Sequence, residues 1–534
     1  MPKISQYNPA TTPLSGSETF ILNQNGVTYK TSLSSIKNYT DTTVRVLSSN
    51  WQNTYTTFST NSANYAKVNV DNNFSSTQTF ATSAINIGRL PFNTRISNSL
   101  FIGLSAGGSG INSTFIGSHA GRGTGADNSN FFGLSAGANA RNASNSNFLG
   151  YRAGNGATNA NDSNFIGSSA GSGATDALHS NFIGSSAGFS ATNATYSNFL
   201  GKNAGTSAPN ASRSNFLGYK AGNGAASAST SNFLGYEAGN SATDAYKSNF
   251  LGYQAGKSAK YASGSNFLGY RAGSGAPNAS RSNFLGYNAG NSAANASGSN
   301  FIGYGAGNSA ANASNSNFLG YNAGNSAANA NYSNFLGKNA GNSATNASRS
   351  NFLGVNAGIN AINARYSNFL GSDAGNNAAN ARYSNFLGNN AGSVALSANN
   401  SNFLGYSAGK SATSANNSNF LGYRAGNGAT NANNSNFLGA NAGSGALSAS
   451  NSNFFGLSAG SGATNARHSN FIGYKSGFQS SLSACVALGS FSTPTGHNQF
   501  VLGSASFPLS TIDAGASLVI NINGTLKKIA LLSV

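Results

Sequence analysis

The chain has 534 residues, only 7% of them charged and 68 of them glycine, a composition that excludes an ordinary globular enzyme built on one large core. Its single cysteine, Cys485, excludes an intrachain disulfide framework. The formal charge of +18 invites a polyanionic partner, so where the charges sit matters more than their sum.

Residues 1–38 read as a small β module: Thr19-Phe20-Ile21-Leu22, a Gln24-Asn25-Gly26 turn, then Val27-Thr28-Tyr29-Lys30-Thr31. Residues 39–70 read as a short coiled coil or linker. Trp51, Tyr55, Phe58 and Tyr65 are spaced 4, 3 and 7 apart, a heptad-like seam that needs partner helices because its Thr and Asn content is poor for an isolated helix. Residues 71–128 read as a β collar followed by an irregular solenoid cap. Phe101 and Phe115 there are followed by the next phenylalanine after 14 and 16 residues, a taper before the period settles.

From 129 to 478 one phrase of seventeen residues recurs: Ser-Asn-Phe-Leu-Gly-Tyr-x-Ala-Gly-x-x-Ala-x-x-Ala-x-x. Phenylalanine marks each copy without a slip, through Phe131, Phe148, Phe165, Phe182, Phe250, Phe318 and Phe403 to Phe471, twenty-one copies in all. A constant period means one unit stacked on itself. The phrase offers about five residues of strand, with Phe148 on one face and Asn147, Leu149 and Tyr151 on the other. Gly and Asn supply the turns and alanines the close approaches. A helical reading fails because each repeat's glycines cost roughly 1 kcal/mol apiece against alanine in a helix. The expected fold is therefore all-β, a parallel β-solenoid of about 21 coils, with a phenylalanine spine and an asparagine amide ladder. Apolar residues on both strand faces predict an intertwined homo-oligomer. Residues 479–534 read as a C-terminal β cap, with a hairpin of Ser517–Ile522 and 526–532 across Asn523-Gly524.

The cations fall in two variable places of the repeat. Arg152, Lys220, Arg271, Arg424 and Lys475 follow the strand; Arg213, Lys247, Arg281, Arg349, Arg365, Arg382 and Arg467 come just before the next Ser-Asn, among Tyr196, Tyr246, Tyr332, Tyr366, Tyr383, His179 and His468. This second group forms a possible surface-binding stripe for an anionic polymer such as a surface glycan, beside the plainer role of like charges that keep a rod soluble and separate. No nucleic-acid partner is expected.

Catalytic chemistry is not expected. Of the array's acids only Glu237 and Asp244 share a coil, a sparse basis for paired-carboxylate glycoside hydrolysis. His119, His179, His468 and His497 lie coils apart, so neither a metal centre nor a cofactor is expected. Residues 1–40 lack the apolar run of a secretory leader, and no membrane-spanning segment is read in the chain.

The phrase running from Pro9 to Tyr39, with Ala10, Thr11, Thr12, Leu14, Gly16, Glu18, Gly26, Val27, Lys30 and Ile36, resembles the N-terminal segment of tailed-phage tail-fibre and virion proteins, where it is associated with attachment to the particle. The repeat resembles the left-handed β-roll of YadA-type trimeric adhesin heads: Asn-Phe-Leu-Gly stands where those carry a Ser-Val-Ala-Ile-Gly phrase, and Ala484–Ser490 and Phe500–Ser506 come closer still. The period differs, 17 here against a shorter one in those heads. These resemblances imply a homotrimeric, non-enzymatic virion fibre. It would be made in the host cytoplasm and exposed on the free particle, joined to tail or baseplate proteins through its N-terminus and directed at a host-surface glycan or receptor. The alternatives are a bacterial cell-surface trimeric adhesin and, more weakly, a glycan depolymerase tailspike.

Overall fold

A seventeen-residue coil can close only if the chain turns sharply several times, and the repeat is written to allow it. The computed structural model describes residues 19–24, 27–32, 78–79, 86–87, 99–507, 517–522 and 525–530; the seam residues Trp51, Tyr55, Phe58 and Tyr65, with the rest of 39–70, lie outside them. The chain divides into two units, Met1–Asn93 and Thr94–Val534.

In the first unit Thr19–Gln24 and Val27–Ser32 pair antiparallel, with Gln24 opposite Val27. Gln78–Thr79 and Asn86–Ile87 form a second short antiparallel pair. In the second, twenty-five strands of three residues each, from Leu100–Ile102 to Phe500–Leu502, make a parallel β-solenoid of about twenty-four turns. Neighbouring strands pair in register, and from Asn130 to Asn470 the pairing sets Asn on Asn and Phe on Phe, as in Asn249↔Asn266 and Phe250↔Phe267. At the far end Ser517–Ile522 and Thr525–Ala530 pair antiparallel.

The strand is shorter than the five residues expected, because the following glycine leaves extended geometry at once: Gly150 has φ +130. A Cβ there would sit 2.7 Å from the carbonyl oxygen of Gly167 in the next coil, so both backbone conformation and coil spacing demand glycine. Gly154 (φ +61) closes the next corner against the ring of Phe148, where a Cβ would come within 2.3 Å.

The core is narrow and wholly internal. Phe148, Ala153, Ala157 and Ala160 are all fully buried, and their equivalents repeat up the stack. The rings lie 4.7 Å apart at about 5° from Phe131 to Phe148 and hold that geometry almost throughout. This is the strand spacing imposed on the side chains, and it falls within the range of favourable aromatic stacking. A buried serine in each coil joins neighbouring turns: Ser146 Oγ donates to Ala160 O at 2.6 Å and accepts from Ser163 N at 3.0 Å. Its polar atom is thus satisfied inside an apolar core.

The solenoid extends beyond the limits expected for the shaft. Ala487 and Val501 continue the Phe471 column at intervals of 16 and 14 residues, mirroring the 14 and 16 of Phe101, Phe115 and Phe131. Residues 479–503, expected in a separate cap, therefore add two coils. Cys485 occupies the serine slot, its amide donating to Ser469 Oγ at 3.1 Å.

Candidate functional site: the three ladders on the solenoid surface

With Phe turned inward, the strand presents Asn and Leu outward. The Asn column forms an unbroken amide ladder from Asn130 to Asn470, each Nδ2 donating to the next Oδ1, as from Asn249 to Asn266 at 2.7 Å. Beside it runs a column of Leu, Ile and two Phe, half-buried to exposed, and the two columns line a long shallow groove. No charged residue interrupts either column from 130 to 472.

A second ladder lies at the residue after the glycine corner. Tyr219, Tyr236, Tyr253, Tyr270, Tyr287, Tyr304 and Tyr321 stack over seven consecutive coils with centroids 4.7–5.1 Å apart. Sequence reasoning missed it as a unit, although reading the repeat by column exposes it. The cations of the first variable place lie over these or equivalent rings: Arg152 over Tyr151, Lys220 over Tyr219, Arg271 over Tyr270, Arg424 over Tyr423 and Lys475 over Tyr474, at 5.1–5.5 Å.

The third ladder contains the expected basic stripe, with two corrections. The seven residues occupy two adjacent columns: Arg213, Lys247, Arg281 and Arg349 directly precede the buried serine, whereas Arg365, Arg382 and Arg467 stand one residue earlier, with Tyr366, Tyr383 and His468 after them. Nor is the stripe continuous. Arg213, Lys247, Arg281 and Arg467 are separated from one another by at least one coil, and only Arg349, Arg365 and Arg382 fall on consecutive coils. The tip position has left-handed φ whatever residue fills it: 55° at Arg213, 58° at Arg349, 57° at Tyr366 and 57° at His468. This explains the many asparagines in the same column, since Asn tolerates that region best among residues with a side chain.

Around those three arginines the surface is built from ring, guanidinium and amide. Arg349 lies between Tyr332 and Tyr366, 5.9 and 5.2 Å from their centroids, and donates to Tyr366 Oη. Tyr366 and Tyr383 stack at 4.9 Å and 9°, with Arg365 over the first and Arg382 over the second. Arg365 and Arg382 also line a groove with Asn346, Asn363, Asn380 and Asn399. The amides of Asn346, Asn363 and Asn380 form their own ladder at 2.7 and 2.8 Å.

Glu237 is tied into the fold. Lys257 Nζ donates to its carboxylate at 2.7 Å and Gln254 Nε2 at 2.9 Å. The hydrogen bond from Lys257 foremost holds its carboxyl below the ordinary carboxylate range against the opposing effect of burial. A carboxylate so held is poorly suited to serve as the protonated acid of a glycosidase. His179 stacks on Tyr196 at 4.9 Å and lies 3.6 Å from Asp162. Among the described residues no group of three or more His, Cys, Asp or Glu is placed to hold a metal ion, and no helix is long and apolar enough to cross a membrane.

No family model, curated protein or solved structure matches the chain. The ladders themselves must therefore carry the functional reading.

Proposed function

We propose that the protein is a structural fibre of a phage virion, a non-enzymatic rod that associates with further copies of itself and serves attachment to a host surface. The observation that carries this reading is the unbroken stack of in-register coils, on the order of 110 Å long at the strand spacing, with its core consumed by self-packing and its variation confined to surface turns. Such a body spans distance and displays side chains at fixed intervals. The N-terminal phrase from Ala10 to Ile36, resembling that of virion fibres, supplies the particle end.

Self-association follows from the Asn and Leu columns. The Phe face is closed inside each chain, which leaves the Leu face as the apolar surface to cover. It is an uncharged, continuously apolar side of a chain carrying +18, and it runs the length of the seventeen-residue array. A strip two columns wide suits closure around a common axis, and three copies are the proposed state. Light scattering of the purified protein tests this: a mass of three times 53.8 kDa is expected, with rods of about 110 Å or longer in negative stain. A mass of one chain would overturn the assembly.

A further inference from the structure

We infer that the surface formed by Arg349, Arg365 and Arg382 with Tyr366, Tyr383 and the adjacent asparagine ladder is a binding site for an acidic polysaccharide, recognised through its carboxylate or sulfate groups and its ring hydroxyls. This deepens the attachment reading above by naming a place and a ligand class.

The three arginines stand on consecutive coils, whose backbones are about 4.8 Å apart, Arg365 and Arg382 in one column and Arg349 in the next, and all three are exposed. The ion pairs among the described residues lie elsewhere, at Asp162 with His179 and at Glu237 with Lys257. The nearby acid in the sequence, Asp373, is on the other turn and accepts from Asn356 and Asn376. The three arginines thus lack a carboxylate partner, and their planar donors match carboxylate and sulfate oxygens. Arg349 is fixed between two rings and Arg365 Nε donates to Ser348 Oγ at 3.2 Å, which lowers the entropy lost on gripping a ligand.

The covering of the rings separates a glycan from a nucleic acid. Single-stranded nucleic acid binds by stacking bases on open aromatic faces. Tyr366 has none to offer, since Arg349 covers one side and Tyr383 the other. Tyr383 has Tyr366 stacked on one face and Arg382 over its ring. In the ladder, Asn346 and Asn363 each spend one N–H and one carbonyl lone pair on their neighbours and Asn380 one carbonyl lone pair, leaving a further donor and acceptor per rung for hydroxyls. The groove with Asn399 keeps these groups along the line of the arginines. A polyol chain with periodic anions uses every one of these features.

The test uses the full chain and four immobilised probes: polygalacturonate for carboxylate, heparin for sulfate, dextran as a neutral glycan and poly(dT) as nucleic acid. The Arg365→Gln/Arg382→Gln variant is compared with Arg213→Gln/Arg281→Gln, which removes the same charge elsewhere on the same kind of turn. The expected result is binding to one or both acidic glycans and not to dextran, weakened about tenfold or more by the first variant and less than about twofold by the second. Equal weakening by both variants, tighter binding to poly(dT), or no binding to either acidic glycan would overturn the site. Native mass and rod length are read on the same samples, so failure of the site and failure of the fibre reading are told apart.

Discussion

Gly252 shows how little a coil leaves to choice. It holds φ +128, and a Cβ would stand 2.6 Å from the carbonyl oxygen of Gly269, a rigid backbone atom one coil on. Gly252→Ala is therefore expected to cost about 3 kcal/mol or more, seen as a lowered unfolding midpoint. Gly428 makes the contrast: it has φ +68, a Cβ added there would meet nothing within 4 Å, and its column holds Ser241, Ser258 and Ser292 in the same left-handed conformation. Gly428→Ser should change the midpoint by less than about 1 kcal/mol. Both glycines look alike as letters; only the column in which each sits tells a compulsory glycine from an optional one. Glu237 adds a pH dependence with a definite sign. Its folded pKa lies below that of the unfolded chain, so its contribution is full above the unfolded carboxylate's range and is lost as pH falls through the folded value. Hydrogen-exchange protection in residues 220–270, corrected for the intrinsic pH dependence of amide exchange, should fall on acidification through that window, and Glu237→Gln should remove the acid-side step; an unchanged step in the variant would assign it to another group.

At the scale of the element, a rung is stabilised by its neighbours rather than by itself. Phe250 stacks on Phe233 and Phe267 at 4.7 Å on either side, so Phe250→Ala removes the largest buried side chain of its coil and exposes two interfaces. A loss of roughly 3–5 kcal/mol is expected, with hydrogen-exchange protection falling in the adjacent coils and holding many coils away, as nearest-neighbour coupling requires. Uniform loss along the array would mean that the solenoid melts as one unit. The spine is irregular about Phe369, which meets Phe352 at 60° and Phe386 at 23°; nothing in the surrounding coils explains it. Periodicity made most of this element legible: the spine, the amide ladder and the alanine corners all follow from seventeen-residue recurrence and strand alternation. The three-residue strand length was not legible, because Gly150 and its equivalents serve as corners as readily as strand residues. The added coils at 487 and 501 were hidden because Ala and Val replace the marker phenylalanine. The Arg349, Arg365 and Arg382 cluster was only half legible, since reading "before Ser-Asn" as one place merged two columns.

For the whole molecule the deciding fact is the separation of constancy from variation. The Phe, Ala, Ser and Gly columns are fixed by the coil's own packing, yet the Asn column is as constant and the Leu column, with Ile or Phe in places, is apolar throughout, and both face outward. Packing within the chain accounts for the amide ladder through its hydrogen bonds but leaves the outer surface of Leu251, Leu285 and their equivalents without a covering partner in the single chain. Charge would be tolerated there by the fold, because Lys at an exposed strand position keeps its stem along the apolar column and its ammonium in water. In an interface between copies the same ammonium groups would be desolvated beside their own images, a juxtaposition that costs several kcal/mol. Leu251→Lys/Leu285→Lys is therefore expected to leave the far-ultraviolet circular dichroism of the solenoid unchanged while lowering the native mass toward that of one chain. Retention of the oligomeric mass in this variant would move the interface to another face, with the tyrosine ladder from Tyr219 to Tyr321 the next to test by Tyr253→Lys/Tyr287→Lys.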